Sequence, residues 1–263
     1  MTDGLTGDDN PSDSSPSPSV IQLPAMTDAQ AASWHGLMDV YEVLPDHWTM
    51  VGGQLVHLHC AERGSYPQRP TVDIDAVVDV RAEPRILEDF TSALRDLGFT
   101  PHTTGEGLQH RWTRGLAQVD VLIPEGVGAI ASSRNGAGGA PTLPAPGASQ
   151  ALGRSEPVEI RAAGRCGTVR RPSLVGALVM KAASRIEIVR DIGKARHCID
   201  FTVMAGLVSA RDFREAELTK KDRQRLRKMI ERCRADSSAL AVENAAAALS
   251  RLERAAGLAD SGR

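Results

Sequence analysis

Residues 71–80 constrain the fold of this chain more than any other part of the sequence. Every even position is apolar and most odd positions are acidic or hydroxylated: Thr71, Val72, Asp73, Ile74, Asp75, Ala76, Val77, Val78, Asp79, Val80. A period of two predicts a β-strand with one buried face and one open face. Asp73 and Asp75 share the open face, because residues two apart in a strand point the same way. Adjacent carboxylates repel each other unless protonated or bridged by a cation, so this strand suggests a divalent-metal site.

The composition favours an ordinary soluble, cytoplasmic globular protein. A chain of 263 residues is long enough for one large domain or two small ones. Its content of 41% hydrophobic and 24% charged residues is typical of globular proteins. An aromatic content of 3% argues against a base-stacking surface for single strands. We expect no membrane span, since no apolar run approaches about 18 residues, and no secretory signal. Four cysteines without a CxxC pair suit reduced thiols: Cys60, Cys166, Cys198 and Cys233.

Charge is distributed unevenly along the chain. Residues 1–160 contain 9 Lys and Arg against 21 Asp and Glu, whereas residues 161–234 contain 19 against 8. This asymmetry fits a metal site beside an anion-binding surface, and it fits equally a set of solvated helix faces. The basic run at residues 220–228 has the same two interpretations. It is either a solvated helix face or a surface that follows the phosphates of an RNA.

The order of predicted elements indicates an α+β domain followed by a helical part. We expect a disordered tail over residues 1–25, a core over residues 26–172 and a helical C-terminal region over residues 173–263. Residues 134–148 are predicted to be a flexible loop without core-forming content. The predicted strands are 48–51, 71–80, 108–113, 117–123, 157–161 and 166–170. The predicted helices are 27–44, 54–62, 84–97, 173–190, 193–206, 210–234 and 236–256.

Asp120 is the candidate third carboxylate of the metal site. It alternates with apolar residues in a predicted strand, and if that strand lies beside the first, Asp120 converges with Asp73 and Asp75. Carboxylate-only ligation suits Mg²⁺. The Gly52-Gly53 turn leads into a helix whose first N–H groups are suited to hold a triphosphate. Asp79 has the same parity as the other two, but its place predicts a surface residue at the strand end.

Three motifs together resemble those of the nucleotidyltransferase superfamily, which has the polymerase-β-like fold: Val51-Gly52-Gly53, residues 69–75 with Asp73-Ile74-Asp75, and Val119-Asp120-Val121. The most similar branch is that of the AbiEii-type nucleotidyltransferases, which includes bacterial toxins and the MenT-type enzymes that add nucleotides to tRNA 3′ ends. The resemblance implies a mixed sheet with flanking helices. It also implies Mg²⁺- or Mn²⁺-dependent transfer of an NMP from an NTP to an acceptor hydroxyl, with a tRNA and a cognate antitoxin protein as candidate partners.

The same resemblance implies roles for two residues of the helical region. Lys181 would contact the NTP phosphates, and Asp200 would support the site. Read from the residues alone, Lys181 and Arg185 could form a solvated basic stripe, and Asp200 could simply pair with Arg196. Two other functions also stay open, a small-molecule nucleotidyltransferase of the aminoglycoside-modifying kind and a catalytically silent nucleotide-binding module.

The chain departs from the superfamily pattern at two places. Gly53 and Asp73 are separated by 19 residues, which is longer than usual and implies an insertion at residues 63–68. Many relatives have Ser at the position of the second glycine. Gly53 offers no hydroxyl, so any contact that it makes with a phosphate must come from its backbone.

Overall fold

The computed structural model of the chain describes residues 20–67, 69–187, 194–214 and 216–258. Its strands are β1 (Ile21–Gln22), β2 (Trp48–Val51), β3 (Ile74–Val78), β4 (Thr100–His102), β5 (Arg111–Arg114), β6 (Ala117–Pro124), β7 (Leu143–Ala145), β8 (Ser155–Ala162) and β9 (Arg165–Pro172). Its helices are α1 (Asp28–Val43), α2 (Gly52–Glu62), α3 (Ile86–Asp96), α4 (Ala129–Ser132), α5 (Ala148–Leu152), α6 (Leu174–Glu187), α7 (Lys194–Gly206), α8 (Lys220–Arg234), α9 (Ser237–Leu240) and α10 (Ala245–Ala255). A short 3₁₀ helix spans Ala210–Phe213.

A mixed six-stranded sheet forms the centre of the molecule. Its strand order is β2-β3-β6-β5-β4, and β7 pairs with β6 beyond the end of β5. The pairs β3–β6 and β6–β7 are parallel, whereas β2–β3, β4–β5 and β5–β6 are antiparallel. The predicted mixed sheet with flanking helices is therefore confirmed, with Asp75 on β3, Asp120 on β6 and Asp73 just before β3.

Strand β3 differs from the predicted strand in length and in the covering of its faces. It begins at Ile74 and ends at Val78, and Val72 is exposed rather than buried. Val77, on the face predicted to be open, is fully buried, and helices α2, α3 and α5 pack against this strand. The Asp79 carboxylate accepts hydrogen bonds from the backbone N–H groups of Arg81 and Ala82, which confirms its place at the strand end.

A second sheet has three strands in the order β1-β8-β9. Strand β1 runs parallel to β8, with Ile21 opposite Ile160. The predicted disordered tail extends to residue 25, so its last residues lie in this paired region, and residues 1–19 lie outside the described residues. The prediction that residues 134–148 lack core content is wrong, because β7 pairs with β6 and Thr142 and Ala148 are buried.

The helical C-terminal part is confirmed, although two of its predicted helices are interrupted; the predicted helix 236–256 is divided into α9 and α10. The predicted helix 210–234 is divided, since α8 begins only at Lys220, where the Thr219 hydroxyl accepts from the Asp222 N–H. The predicted helix ends at residues 188–190 and 193 lie outside the described residues. One cluster of buried apolar side chains runs through both sheets and these helices, from Leu55 and Val77 to Leu178, Met204 and Leu252.

The four cysteines lie among the described residues and none of them is in a disulfide; Cys166 is exposed and the other three are buried. Within the described part of the chain, none of the helices combines the length and the apolarity that crossing a membrane requires.

Candidate active site

Three carboxylates meet where β3 and β6 run side by side. The parallel register places Asp75 opposite Asp120, and Asp73 lies just before β3. One oxygen from each of these three side chains lies within 4.8 Å of the other two. The predicted convergence of the three acidic residues is therefore found in the structure.

Neighbouring side chains hold two of these carboxylates in place. The Thr71 hydroxyl donates to Asp73 Oδ1 at 2.9 Å. The Thr71 carbonyl in turn accepts from the amides of Gln30 and Gln54, each at 2.7 Å, which ties the segment before β3 to α1 and α2.

Arg111 holds the third carboxylate with two hydrogen bonds. Its Nε donates to Asp120 Oδ1 at 3.0 Å and its Nη2 to Asp120 Oδ2 at 2.8 Å. The two residues face each other in the antiparallel β5–β6 ladder. A fork–fork contact of this kind fixes both the position and the plane of the carboxylate.

The electrostatics of the cluster favour a bound cation. Burial is the main cause that raises the pKa of Asp75 to about 7; the Asp73 and Asp120 carboxylates also raise it, and Lys181 and Arg196 partly offset them. The ion pairs between described residues include Asp120 and Asp200 but neither Asp73 nor Asp75. Three carboxylates that crowd each other and offer only oxygen donors fit Mg²⁺ or Mn²⁺.

The glycine turn packs directly against this cluster. Gly52 has a φ of +77° and begins α2, and a Cβ added there would lie 1.8 Å from Asp75 Oδ2. A Cβ added at Gly53 would lie 2.8 Å from Thr71 Cγ2. Glycine is thus required at residue 52 both by the left-handed backbone and by the carboxylate beside it. The N-terminus of the 11-residue helix α2 opens next to the acidic cluster.

Of the two residues predicted from the helical region, Lys181 lines the same cleft as the carboxylates and Asp200 is in contact with it. Lys181 is only 4% exposed, so a solvated basic stripe is the wrong interpretation; the Arg185 side chain lies outside the described residues. Lys181 Nζ donates to Asp200 Oδ2 at 2.7 Å. Asp200 also accepts from Arg69 Nε at 2.9 Å and from its Nη2 at 2.8 Å. Burial alone would raise the pKa of Asp200, but the charges of Lys181 and Arg69 lower it overall.

A cleft of about 510 Å³ joins the acidic and basic sides. Asp200 does not line the cleft itself, but it contacts Arg69 and Lys181, which do. The cleft is lined by Val51, Gly52, Gly53, Arg69, Thr71, Asp73, Asp75, His110, Asp120, Leu122, Leu143, Pro144, Ala145, Pro146, Met180, Lys181, Ser184, Arg196 and His197.

The long separation of Gly53 and Asp73 does not separate them in space. Helix α2 takes up residues 52–62 of the intervening chain. The described residues of the following segment return along α2, where His57 Nε2 lies 2.9 Å from the Arg69 carbonyl oxygen. Thr71 then packs against Gly53, so the glycine turn and the carboxylates form one site.

The sequence prediction did not assign roles to Arg69 and Arg111. The sequence did contain a signal for the role of Arg111. In a hairpin whose last pair is Arg114 and Ala117, the pair three positions from the turn is Arg111 and Asp120. Nothing local indicates that Arg69 reaches Asp200, because the two are 131 residues apart in the chain.

Solved structures with this architecture include a crystal structure of an antigenic nucleotidyltransferase-like protein from Paracoccidioides brasiliensis. It has a TM-score of 0.50 and 13% identity, with 86% of this chain and 94% of that chain covered. The chain has a nucleotidyltransferase-like fold. The solution structure of the antibiotic-resistance factor ANT(2'')-Ia is also similar, with a TM-score of 0.40, 15% identity, and 80% of this chain and 96% of that chain covered. No protein-family model and no curated protein matches this sequence.

Proposed function

We propose that this chain is a metal-dependent nucleotidyltransferase that moves an NMP from an NTP to an acceptor hydroxyl. The observation that carries the proposal is the group of three carboxylates with ligand atoms within 4.8 Å of one another. It lies in one cleft with the Gly52-Gly53 turn and Lys181, and the fold is that of nucleotidyltransferases.

Asp73 and Asp75 are the proposed holders of the metal, and Asp120 completes the ligand set. When bound, Mg²⁺ or Mn²⁺ would activate the acceptor hydroxyl and neutralise charge on the departing pyrophosphate. Thr71 and Arg111 keep two of the carboxylates oriented before substrate arrives. A carboxylate oxygen that accepts one hydrogen bond retains a second lone pair.

The remaining residues position the NTP. Gly52 and Gly53 line the cleft at the positive end of the α2 dipole, so their backbone N–H groups are the proposed donors to the triphosphate. Lys181 supplies a buried positive charge in the same cleft. In the reaction, the acceptor oxygen bonds to the α-phosphorus and the bond from that phosphorus to pyrophosphate breaks. Asp120 takes the hydroxyl proton.

The test is transfer of label from NTPs to total tRNA in the presence of Mg²⁺ or Mn²⁺. We expect Asp73→Asn/Asp75→Asn to lose activity by at least about 100-fold. Asp79→Asn is the matched control, since Asp79 lies just after the same strand and its amide analogue can still accept from the Arg81 N–H. Equal labelling by wild type and the double variant would refute the catalytic assignment. NTP- and metal-dependent thermal stabilisation without any transfer would instead support a silent binding module.

The acceptor that we propose is the 3′ end of an RNA such as a tRNA. Supporting it, the exposed residues Lys221, Lys228 and Arg232 follow one face of α8 with spacings of seven and four residues, and Arg225 on the same face is buried. Lys221 and Arg225 line a cavity of about 540 Å³ together with Arg81 and Gly147. The residue before Gly147 is Pro146, which lines the catalytic cleft, so the basic surface begins beside the proposed active site.

A salt titration of tRNA binding separates RNA from a small-molecule acceptor. Single-stranded RNA contacts contribute about −0.7 per phosphate to the slope of log K against log salt. Lys221→Gln/Lys228→Gln should therefore reduce this slope by about 1.4. The control Arg85→Gln/Arg161→Gln removes the same charge from the residue before α3 and from β8, and should leave the slope unchanged. Equal slopes in both variants, with label transferred only to small hydroxyl compounds, would favour the aminoglycoside type of enzyme.

We further propose a toxin-type role with a cognate antitoxin, which rests on the motif resemblance described above. Induced expression should arrest growth, and Asp73→Asn/Asp75→Asn should relieve the arrest. Harmless overexpression of the active enzyme in the absence of a partner would contradict this role.

A further inference from the structure

Asp200 is a buried carboxylate that contacts two cationic side chains of the cleft. Its side chain is 3% exposed and accepts from Lys181 at 2.7 Å. Arg69 grips both carboxylate oxygens, at 2.9 and 2.8 Å. Arg69 therefore donates two of these three hydrogen bonds to the Asp200 carboxylate. Lys181 donates the third, to Oδ2, which also accepts from Arg69.

The backbone of Arg69 is itself fixed. Its carbonyl oxygen lies 2.9 Å from His57 Nε2 on α2. Pro70 follows, which restricts Arg69 to extended conformations, and the carbonyl of Thr71, two residues after Arg69, accepts from the amides of Gln30 and Gln54. The guanidinium thus reaches Asp200 from a segment that is anchored on α1 and α2.

The charges of this group explain what Arg69 contributes. Lys181, Asp200 and Arg69 together carry one net positive charge, whereas Lys181 and Asp200 alone would carry none. A triphosphate is strongly anionic, and buried charges are little screened by solvent. Without Arg69, the negative charge of Asp200 would cancel the attraction of Lys181 for the triphosphate and draw its ammonium group away from the cleft.

We propose that Arg69 is a positioning residue: it orients and neutralises Asp200, so that Lys181 keeps its positive charge available to the NTP triphosphate. This inference rests on the proposed nucleotidyltransferase function. Arg69 acts through Asp200, and its fork geometry is part of the role, because a guanidinium binds both carboxylate oxygens and a lysine ammonium does not.

The experiment compares Arg69→Gln and Arg69→Lys with a control in the same loop. Arg63 begins that loop and forms an ion pair with Asp212 at 2.5 Å, but it does not line the cleft. Arg63→Gln therefore removes an equivalent ion pair without touching the site. The readouts are the Kd of a non-hydrolysable NTP analogue with Mg²⁺, the KM and kcat of transfer, and the melting temperature.

Arg69→Gln should raise Kd and KM by about 10-fold or more while kcat changes by less than about threefold, as expected for lost ground-state binding. Arg69→Lys should show a smaller loss, and Arg63→Gln should bind as wild type does. Wild-type affinity in Arg69→Gln, or an equal loss in Arg63→Gln, would overturn the proposal. A wild-type protein that neither binds nor transfers NTP would refute the proposed function instead.

A double-mutant cycle keeps the test decisive if Arg69→Gln lowers the melting temperature. Once Asp200→Asn has removed the negative charge, Arg69 has no carboxylate to neutralise. Arg69→Gln should then change NTP affinity by less than about twofold in the Asp200→Asn background. A full loss in that background would show that Arg69 does not act through Asp200, and would overturn the inference.

Discussion

Replacing Gly52 by alanine should disable the site by moving one carboxylate. The new Cβ would lie 1.8 Å from Asp75 Oδ2, whereas ordinary contacts begin at 3.4 Å, so that oxygen must retreat by about 1.6 Å. Metal ligands tolerate deviations of only about 0.2 Å, and a misplacement of about 1 Å at a catalytic group can cost about 100-fold in rate. The φ of +77° adds about 1–2 kcal/mol of backbone strain for alanine.

The control for that strain is Gly115→Ala. Gly115 has a φ of +58° in the β5–β6 turn, but a Cβ there would meet no atom within 4 Å. Both variants should lower the melting temperature, by about 2–4 °C per kcal/mol. Only Gly52→Ala should lose Mn²⁺ binding in a titration and at least about 100-fold of transfer activity. Wild-type Mn²⁺ affinity in Gly52→Ala, or equal inactivation of Gly115→Ala, would refute the reasoning.

Three further outcomes follow from the site geometry. Because the pKa of Asp75 is raised to about 7 from its ordinary 3.8, its contribution to the stability of the metal-free protein is complete below pH 3.8 and is lost as pH rises through about 7. The melting-temperature gap between Mg²⁺-loaded and EDTA-treated protein should therefore widen from about pH 5 to pH 8, and Asp75→Asn should abolish the widening. Arg111→Lys keeps a charge but not the fork on Asp120, so kcat should fall about 10-fold while the Kd for NTP stays unchanged; a rise in Kd alone would contradict this. Thr71→Ala removes the hydrogen bond to Asp73 and should weaken Mn²⁺ binding by about 10- to 100-fold in a calorimetric titration, whereas unaltered affinity would show that Asp73 needs no such support.

The acidic side of the site could be predicted because strand periodicity reports directly on side-chain direction. Alternation placed Asp73 and Asp75 on one face, and a second alternating strand supplied Asp120. What periodicity does not give is which strands are neighbours, and the parallel β3–β6 register that sets Asp75 opposite Asp120 is a property of the whole sheet. The same limit explains the prediction for Val77, since its burial depends on helices that cover the sheet.

The basic side was harder to predict because its contacts join distant parts of the chain. Lys181 and Asp200 are 19 residues apart on successive helices, and Arg69 is 131 residues from Asp200. Helical spacing alone suggested a solvated stripe for Lys181 and an Arg196 partner for Asp200. The described contacts of Asp200 are instead with Arg69 and Lys181, which pack around it only after the loop, α6 and α7 have come together.

The two departures from the superfamily pattern have one structural explanation. A Cβ at residue 53 would lie 2.8 Å from Thr71 Cγ2 and 3.0 Å from Thr71 Oγ1, so a serine at 53 and the threonine at 71 would compete for the same space. Glycine at 53 is therefore what allows the segment at the end of the long loop to pack against α2. A hydroxyl is still present in this part of the site, but it comes from Thr71 and donates to Asp73. It organises the carboxylates, and the phosphate contacts expected of this turn are left to its backbone N–H groups.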